Sequence, residues 1–337
     1  MPFNDIKGQD NTIDIIKRSM SSVGSCGSYL FLGPEGIGKY FSAKILAKAV
    51  NCLNKEMDAC EECASCLKIN KLQHPDIFLL GEEDSSEIKI DEIRSMQKEI
   101  SLRPYEARRK VFIINNAHKL TAEASNALLK TLEEPPKHSL IILVTHLPNL
   151  LFKTIVSRCK PVKFHLLSQR DLAVMLVDDF NLENSQAHFL SYFAEGRIGK
   201  ALRLKDTDIV AKKNVIIDEF TSNNKNTGII QGKEDLRQGL DILAGWFRDI
   251  YMVKVGMPYD YLINIDRKAE LLSGVDNYSF SDLDEIMGNI SNSLLYLQQN
   301  INSKLLVSNL KLSLASPSAE FRTEVRHRPI QIRPGVS

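Results

Sequence analysis

The chain has 337 residues and a formal net charge of +1; 43% of the residues are hydrophobic and 25% are charged. This composition is typical of a globular protein that is long enough for two or three domains. The near-zero net charge gives no overall field that would favour nucleic acid or a membrane as partner. No apolar run reaches transmembrane length, and the first residues lack the hydrophobic region of a signal peptide. We therefore expect a cytoplasmic protein whose six cysteines are free or metal-bound rather than disulfide-linked.

The N-terminal part of the chain predicts a helix followed by a strand. Apolar residues recur at helical spacing over residues 4–23, and a glycine-containing break at 24–27 ends that pattern. A short apolar strand at 29–32 then runs into a glycine-rich turn, and a second helix is expected from about Lys39.

The glycine-rich turn at residues 33–40 has the layout of a P-loop, Gly-x-x-x-x-Gly-Lys-[Ser/Thr], with one departure. Glycines in such a loop let backbone N–H groups face phosphate oxygens, and the lysine reaches the outer phosphates. The residues that would do this here are Gly33, Gly36, Gly38 and Lys39. The last position carries Tyr40, whose hydroxyl lies at the far end of a ring and cannot ligate Mg²⁺ as Ser or Thr does. We expect ATP to bind weakly or not at all.

Four cysteines follow the P-loop helix with the spacing C-x7-C-x2-C-x2-C. They are Cys52, Cys60, Cys63 and Cys66. Four thiolates are enough for a closed tetrahedral Zn²⁺ site, so we expect one structural zinc in a module at about 52–66. Free thiols and an iron–sulfur cluster are the alternatives, whereas four protein ligands leave no open position for a catalytic zinc. His74 is expected to pack or lie at the surface rather than to ligate the metal.

Strands and helices alternate up to about residue 165. Further strands are expected at 74–80, 110–118 and 139–145, and further helices at 88–102 and 121–132. This alternation predicts an α/β fold with a parallel sheet covered on both faces.

The strand at 110–118 contains Asn115 and Asn116 at the place where P-loop ATPases carry acidic residues. Those carboxylates hold Mg²⁺ and polarise water, and neutral amides can neither hold the metal tightly nor act as a base.

Helical patterns replace strands beyond about residue 165. Helices are expected at 168–178, 185–193 and 196–204, and residues 208–314 are expected to be helical throughout. A core cluster is expected from Trp246, Phe247, Ile250 and Tyr251. Residues 316–337 have no apolar period and predict a disordered tail.

Several motifs together resemble the AAA+ subunits of the bacterial DNA polymerase III clamp loader. They are Ile6-Lys-Gly-Gln9, the P-loop, the four-cysteine module directly after the P-loop helix, Asn126-Ala-Leu-Leu-Lys-Thr-Leu-Glu-Glu-Pro-Pro136 and Ser157-Arg158-Cys159. The resemblance covers residues 1–205 by motif and the helical remainder by layout.

The resemblance implies a fold and a set of domains. We expect a P-loop AAA+ domain at 1–165 that contains the zinc module, and a helical lid domain at 166–206. An all-helical oligomerisation domain at 207–315 and the tail at 316–337 would follow.

The family has two kinds of member with this zinc module, an ATP-hydrolysing gamma/tau motor and a delta-prime subunit that does not hydrolyse ATP. The chain departs from the motor at Tyr40, Asn115, Asn116 and Gly199, the last standing where a motor usually carries a sensor arginine. All four departures fall on the chain's own nucleotide site, whereas Arg158, which the resemblance implies to act outside that site, is kept. This pattern resembles the delta-prime kind.

The resemblance implies a non-hydrolysing accessory subunit that completes the loader ring with gamma/tau and delta subunits. Arg158 would be an arginine finger acting in trans on ATP bound by a neighbouring subunit. The assembled ring would load the sliding clamp on primed DNA. The alternative for Arg158 is an ordinary surface or salt-bridged arginine.

Two alternatives remain for the function of the whole chain. The first is a gamma/tau-type motor that hydrolyses ATP. The second is a DNA-binding zinc protein, which the neutral net charge and the absence of an interleaved basic–aromatic patch disfavour.

Overall fold

The computed structural model describes residues 2–21, 27–81, 87–221, 232–299 and 306. The chain divides into two compact units, Met1–Asn181 with Phe193–Arg203 and Leu182–Tyr192 with Leu204–Ser337. The predicted tail at 316–337 lies outside the described residues, and the domain boundaries expected at 165 and 206 stay predictions. Within the described ranges, no helix has both the length and the apolar character that crossing a membrane requires.

The helices and strands alternate in the first half of the chain, and helices alone follow. In chain order they are α1 (Asp10–Ser21), β1 (Ser28–Leu32), α2 (Lys39–Asn51), α3 (Ala64–Asn70), β2 (Ile77–Leu80), α4 (Ile90–Ser101), β3 (Lys110–Ile114), α5 (Ala122–Glu133), β4 (Ser139–Thr145), α6 (Lys153–Val156), β5 (Lys160–Lys163), α7 (Gln169–Asp178), α8 (Asn184–Ala194), α9 (Ile198–Asp206), α10 (Ile209–Thr221), α11 (Lys233–Val255), α12 (Lys268–Gly274) and α13 (Phe280–Gln298). Short 3-10 helices lie at Pro2–Asp5, Ala117–Lys119, Pro148–Leu150, Tyr259–Tyr261, Ile265–Arg267 and Val275–Asn277.

The five strands form one parallel sheet in the order β2-β3-β4-β1-β5. Because all strands run the same way, they start at one edge, here called the amino edge, and end at the opposite edge, the carboxyl edge. β1 lies between β4 and β5, with Leu32 opposite Thr145 and Tyr29 opposite Lys160. Whatever follows the last residue of each strand therefore lies at the carboxyl edge.

Apolar side chains cover both faces of the sheet. Successive residues of a strand point to opposite faces, so Phe31 joins one buried cluster with Ile45 and Leu46 of α2, while Leu30 joins the other with Leu128 of α5. The predicted α/β fold, a parallel sheet with helices on both faces, is confirmed.

The N-terminal helix predicted over 4–23 was wrong in its bounds. Pro2–Asp5 is a 3-10 helix, and α1 begins only at Asp10. Gly8, with a φ of +65°, turns the chain between the two, in a conformation that an α-helix cannot contain. Residues 22 and 23 lie outside the described part of the chain.

Other boundaries also differ from the predictions. The strand predicted at 110–118 ends at Ile114, because Asn116 takes a left-handed φ of +50° and a 3-10 helix follows. The strand predicted at 74–80 begins only at Ile77. The helix predicted at 196–204 begins at Ile198, after Gly196 with a φ of +78°. The region 208–314 contains 3-10 segments between its helices and is not helical throughout.

Three of the helices and strands were not predicted, and one predicted core cluster is confirmed in three of its four residues. The short helices α3 and α6 and the outermost strand β5 carry little periodic apolar pattern; in β5 only Val162 is buried. In the second unit, Trp246, Phe247 and Ile250 of α11 are buried, as expected of a core cluster, whereas the fourth predicted member, Tyr251, is only half-buried.

Asp76 anchors the loop before β3 to the start of β2. Its carboxylate is fully buried and accepts hydrogen bonds from the backbone N–H groups of Tyr105, Glu106 and Ala107, each at 2.8 Å. Burial alone would raise the pKa of Asp76, but the three donors and His74 outweigh it and lower that pKa.

Replacing Asp76 with alanine should destabilise the folded protein by about 3 kcal/mol, because three buried N–H groups lose a charged acceptor. Calorimetric unfolding and faster hydrogen exchange at residues 105–107 would show this.

The stabilisation by Asp76 should also depend on pH. Because folding lowers the pKa of Asp76, the stabilisation is complete above the unfolded pKa of about 3.9 and is lost as pH falls through the folded pKa. The exposed Asp14→Ala control should change stability by less than about 0.5 kcal/mol. Equal effects of the two substitutions would contradict the anchoring role.

Candidate functional site

The P-loop joins β1 to α2 at the carboxyl edge and has the backbone shape that its glycines allow. Gly33, Gly36 and Gly38 take φ values of +146°, +75° and +91°, which residues with a Cβ rarely adopt. At Gly33 the space is closed as well, because a Cβ there would lie 2.6 Å from the carbonyl oxygen of Phe164. The sequence prediction of a strand–loop–helix layout is confirmed.

Lys39 is buried at the first position of α2 and turns back onto its own loop. Its Nζ donates to the carbonyl oxygens of Gly33 and Pro34 at 2.7 and 2.5 Å. Burial lowers the pKa of Lys39 to about 8, against the opposing charge of Glu35. The lysine therefore has two protein acceptors in place of a phosphate, and these bonds hold the loop closed around it.

The residues that would hold Mg²⁺ in a motor are absent or turned away. Tyr40 packs its ring against the core on the α2 side of the sheet, and Lys44 Nζ lies 5.0 Å from the ring centre. Asn115 directly follows β3 and pairs its backbone N–H with Leu80, while Asn116 starts a 3-10 helix. The one carboxylate of the loop, Glu35, lies 3.8 Å from the guanidinium of Arg203. The one carboxylate of the loop therefore already lies beside a cation, and the loop has no second carboxylate for a metal ion.

Gly199 contacts the P-loop directly. Its N–H donates to the Gly36 carbonyl oxygen at 2.7 Å, and a Cβ built on Gly199 would lie 3.1 Å from that oxygen. A large side chain at position 199 would have to displace the loop. Sequence reasoning singled out Gly199 as a lost arginine but could not foresee this contact, since 163 residues separate it from Gly36.

Two histidines that sequence reasoning did not single out as site residues lie at the same edge. The rings of His118 and His146 are 4.5 Å apart, and His118 Nδ1 lies 3.2 Å from the Thr145 hydroxyl oxygen. Burial lowers the pKa of both imidazoles, and the charges of Lys39 and Lys119 lower it further while Glu35 opposes them. Both rings are therefore mostly neutral at pH 7. The sequence signal was position alone: His118 is the last residue of the predicted strand at 110–118, and His146 directly follows the predicted strand at 139–145.

The structure brings the four predicted cysteines together. Cys52 caps the end of α2, Cys63 caps the start of α3, Cys66 lies within α3, and Cys60 lies in the connecting loop. Their sulfur atoms all lie within 4.8 Å of one another. Cys159, which is also buried, is not part of the cluster, and His74 packs against Glu106 instead, with its Nε2 3.7 Å from that carboxylate.

The cysteine cluster fits a tetrahedral metal ion. Four sulfurs at about 2.3 Å from a zinc ion lie about 3.8 Å apart, so a small contraction of the observed spacing is enough. Three of the sulfurs already accept backbone N–H groups: Cys52 from Lys55 at 3.3 Å, Cys60 from Cys63 at 3.2 Å and Cys63 from Cys66 at 3.5 Å. Hydrogen bonds from N–H groups to sulfur stabilise the charged thiolate relative to the neutral thiol. Burial would raise the pKa of Cys63, but the hydrogen bonds lower it to about 6.

An ion pair ties the cysteine loop to the rest of the domain. The buried Nζ of Lys48 on α2 lies 2.6 Å from the Glu61 carboxylate, and Asn70 of α3 donates to the same carboxylate at 2.6 Å. The module therefore forms a compact link between α2 and α3.

Arg158 lies in the turn between α6 and β5. Its Nε donates to Glu133 Oε1 at 2.8 Å, its Nη2 contacts the same oxygen, and its Nη1 donates to the Thr154 carbonyl oxygen at 2.9 Å. About a third of the side chain is exposed. Since Lys160 opens β5, Arg158 lies at the amino edge of the sheet, opposite the P-loop.

The family model and the curated relatives that this sequence matches point to one family. The family model described as "DNA polymerase III, delta subunit" matches residues 8–168. The Bacillus subtilis DNA polymerase III subunit delta' is 29% identical over 298 residues, which cover 84% of this chain and 88% of that protein. The Bacillus subtilis subunit tau is 34% identical over 213 residues, which cover 61% of this chain and 38% of tau. A solved Thermotoga maritima gamma subunit-related protein aligns at 16% identity with a TM-score of 0.41, over 91% of this chain and 99% of that one.

The chain belongs to the DNA polymerase III clamp-loader family. The resemblance drawn from the P-loop, the cysteines and the two downstream motifs is confirmed. This clamp-loader subunit carries its altered P-loop at the carboxyl edge of the sheet, and its cysteine cluster could hold a metal ion.

Proposed function

We propose that this clamp-loader subunit is of the delta-prime type, which completes the ring without hydrolysing ATP and donates Arg158 to a neighbour. The observation that carries the proposal is the placement of Arg158 at the amino edge. The four residues of β5 alone separate it from the carboxyl edge by roughly 10 Å. Arg158 therefore faces away from its own P-loop, which supports a role on another subunit's nucleotide.

The loss of the chain's own site is consistent with this assignment. Tyr40 cannot place its distant hydroxyl at the Mg²⁺ position, and Asn115 and Asn116 carry no carboxylate to hold the metal. Lys39 is occupied by loop carbonyls, and Gly199 lies against Gly36 where a motor would need room for a sensor arginine. A guanidinium offered in trans stabilises the phosphoryl-transfer transition state without needing any of these groups.

The proposed partners are gamma/tau and delta subunits in a cytoplasmic ring that loads the sliding clamp on primed DNA. The delta' relative of similar length supports this assembly, since alignment covers most of both chains. The alternative function, a gamma/tau-type motor, is favoured by the higher identity to tau over 213 residues. The two are separated by ATP hydrolysis.

We also propose that the cysteine cluster holds one structural Zn²⁺. Its four sulfurs leave no open coordination position for chemistry, and the module joins α2 to α3 away from the P-loop. The metal would cross-link this part of the chain and would take no part in a chemical reaction.

The isolated protein should show no Mg²⁺-dependent ATP hydrolysis above background, because the metal has no carboxylate or hydroxyl ligand. Tyr40→Thr alone should not restore hydrolysis, since Asn115 and Asn116 still replace the acidic pair. The rate of phosphate release, measured for the purified wild-type protein and for Tyr40→Thr, tests both expectations. A turnover rate comparable to that of AAA+ motors would contradict the delta-prime assignment and favour the motor.

Elemental analysis of the purified protein should find one zinc per chain. Cys63→Ser should reduce the zinc content and lower the melting temperature, because a structural zinc contributes directly to folding. Cys159→Ala is the matched control, since it removes a buried thiol outside the cluster and should keep the zinc. Zinc-free native protein, or four freely titrating thiols, would contradict the proposal.

Arg158→Ala should leave the melting temperature nearly unchanged, because a partly exposed ion pair contributes about 0–1 kcal/mol. The same variant should reduce DNA-stimulated ATP turnover and clamp loading by the reconstituted loader. Removing an arginine finger lowers the rate of ATP hydrolysis at its own site by a factor on the order of 10³–10⁵. The rate of the whole ring should fall by less, because the other sites keep their own arginine fingers. Arg158→Lys should not restore activity, since an ammonium lacks the planar fork.

The control for Arg158 is Arg170→Ala, which removes an exposed arginine at the start of α7. It should assemble and load clamps normally. If Arg158→Ala loads clamps at the wild-type rate in rings that assemble equally well, then Arg158 is only a surface arginine and the in-trans role is wrong.

A further inference from the structure

Glu133 is the side chain that holds Arg158 in place. It is the last residue of α5, and its Oε1 accepts from both Nε and Nη2 of Arg158. The Thr154 carbonyl oxygen accepts from Nη1. A guanidinium has five N–H donors, so one N–H on each of the two terminal nitrogens is left. Two such donors are what a phosphate group accepts bidentately.

Glu133 occupies a poor position for a carboxylate. The C-terminus of a helix carries partial negative charge, which disfavours an acidic side chain there and favours a cation. Glu134 follows directly, so two carboxylates meet the end of α5. The Arg158 guanidinium offsets this charge. Local helix stability therefore gives no reason for a glutamate at this position.

The ion pair also contributes little to the stability of the protein. The Glu133 and Arg158 side chains are 48% and 33% exposed, and ion pairs in such positions are weak because water screens them. The Glu133 carboxylate fixes two N–H groups of the guanidinium while adding little stability, and this contact is best explained by the orientation it imposes.

We propose that Glu133 is a positioning residue for Arg158. It holds the guanidinium along its Nε side and leaves the terminal N–H groups for the phosphate of the neighbouring subunit's ATP. The proposal rests on the in-trans role of Arg158. Glu133 does not touch the nucleotide, and its effect passes through Arg158 alone. The acceptor oxygen does the positioning, so an uncharged side chain of the same shape can replace the carboxylate.

The test is a loader reconstituted with this chain carrying Glu133→Ala, Glu133→Gln or the control Glu134→Ala, each in wild-type and Arg158→Ala backgrounds. Glu133→Ala should slow DNA-stimulated ATP turnover by about tenfold at the site that Arg158 serves, because a misplaced group loses rate steeply. The KM for ATP should stay unchanged, since the finger acts in the transition state. Glu133→Gln should turn over nearly as fast as wild type, because its amide oxygen still accepts from Nε and Nη2. Glu134→Ala removes a neighbouring charge and should have no effect, since Glu134 makes no ion pair within the described chain.

In the Arg158→Ala background, Glu133→Ala should cause no further loss, which a purely structural role would not produce. Three results would overturn the positioning role: wild-type turnover for Glu133→Ala, an equal loss for Glu133→Gln, or an undiminished loss when Arg158 is already absent. Failure of the in-trans role gives a different result, because Arg158→Ala itself would then leave turnover at the wild-type rate.

Discussion

Parallel pairing of β1 with both β4 and β5 is the constraint that places the P-loop and Arg158 at opposite edges of the sheet. Because the strands run one way, the P-loop, Asn115 and His146 all follow strand ends and meet at the carboxyl edge. Arg158 precedes β5 and therefore lies at the opposite edge, where the end of α5 brings Glu133 to it. A change at one edge leaves the other intact, so a chain of this fold can lose its own nucleotide chemistry and keep a group aimed at a neighbour.

The main elements of the fold could be predicted because their apolar patterns are local. The buried strands β1, β3 and β4 are continuous apolar runs, and the helices between them show helical spacing. β5 was missed because lysines and a proline surround its one buried residue, Val162. The ends of elements were missed where single residues, Gly8 and Asn116, take positive φ, since a hydrophobic pattern does not report backbone conformation.

The candidate site could be predicted only where its residues are close in sequence. Four cysteines within fifteen residues predicted a cluster, and the structure places their sulfurs together. The contacts of Gly199 with Gly36 and of Glu133 with Arg158 join distant segments, so no spacing rule could find them. One local signal did exist: a glutamate at a helix C-terminus opposes the helix dipole, and such a local conflict is expected where function overrides stability.

The P-loop glycines have structural roles in this chain that do not involve a phosphate. Gly33 leaves no room for a Cβ beside the Phe164 carbonyl, Gly36 receives the N–H of Gly199, and Gly38 turns the chain into α2 at a φ of +91°. Lys39 donates to the carbonyl oxygens of Gly33 and Pro34 and so holds the two ends of this turn together. Each of these residues is required to close the loop between β1 and α2. A chain of this fold that bound no nucleotide would therefore still need them, whereas the side chains at the Mg²⁺ positions could change without loss of these contacts. The motif builds the turn, and its presence alone is therefore not a sign of ATP binding.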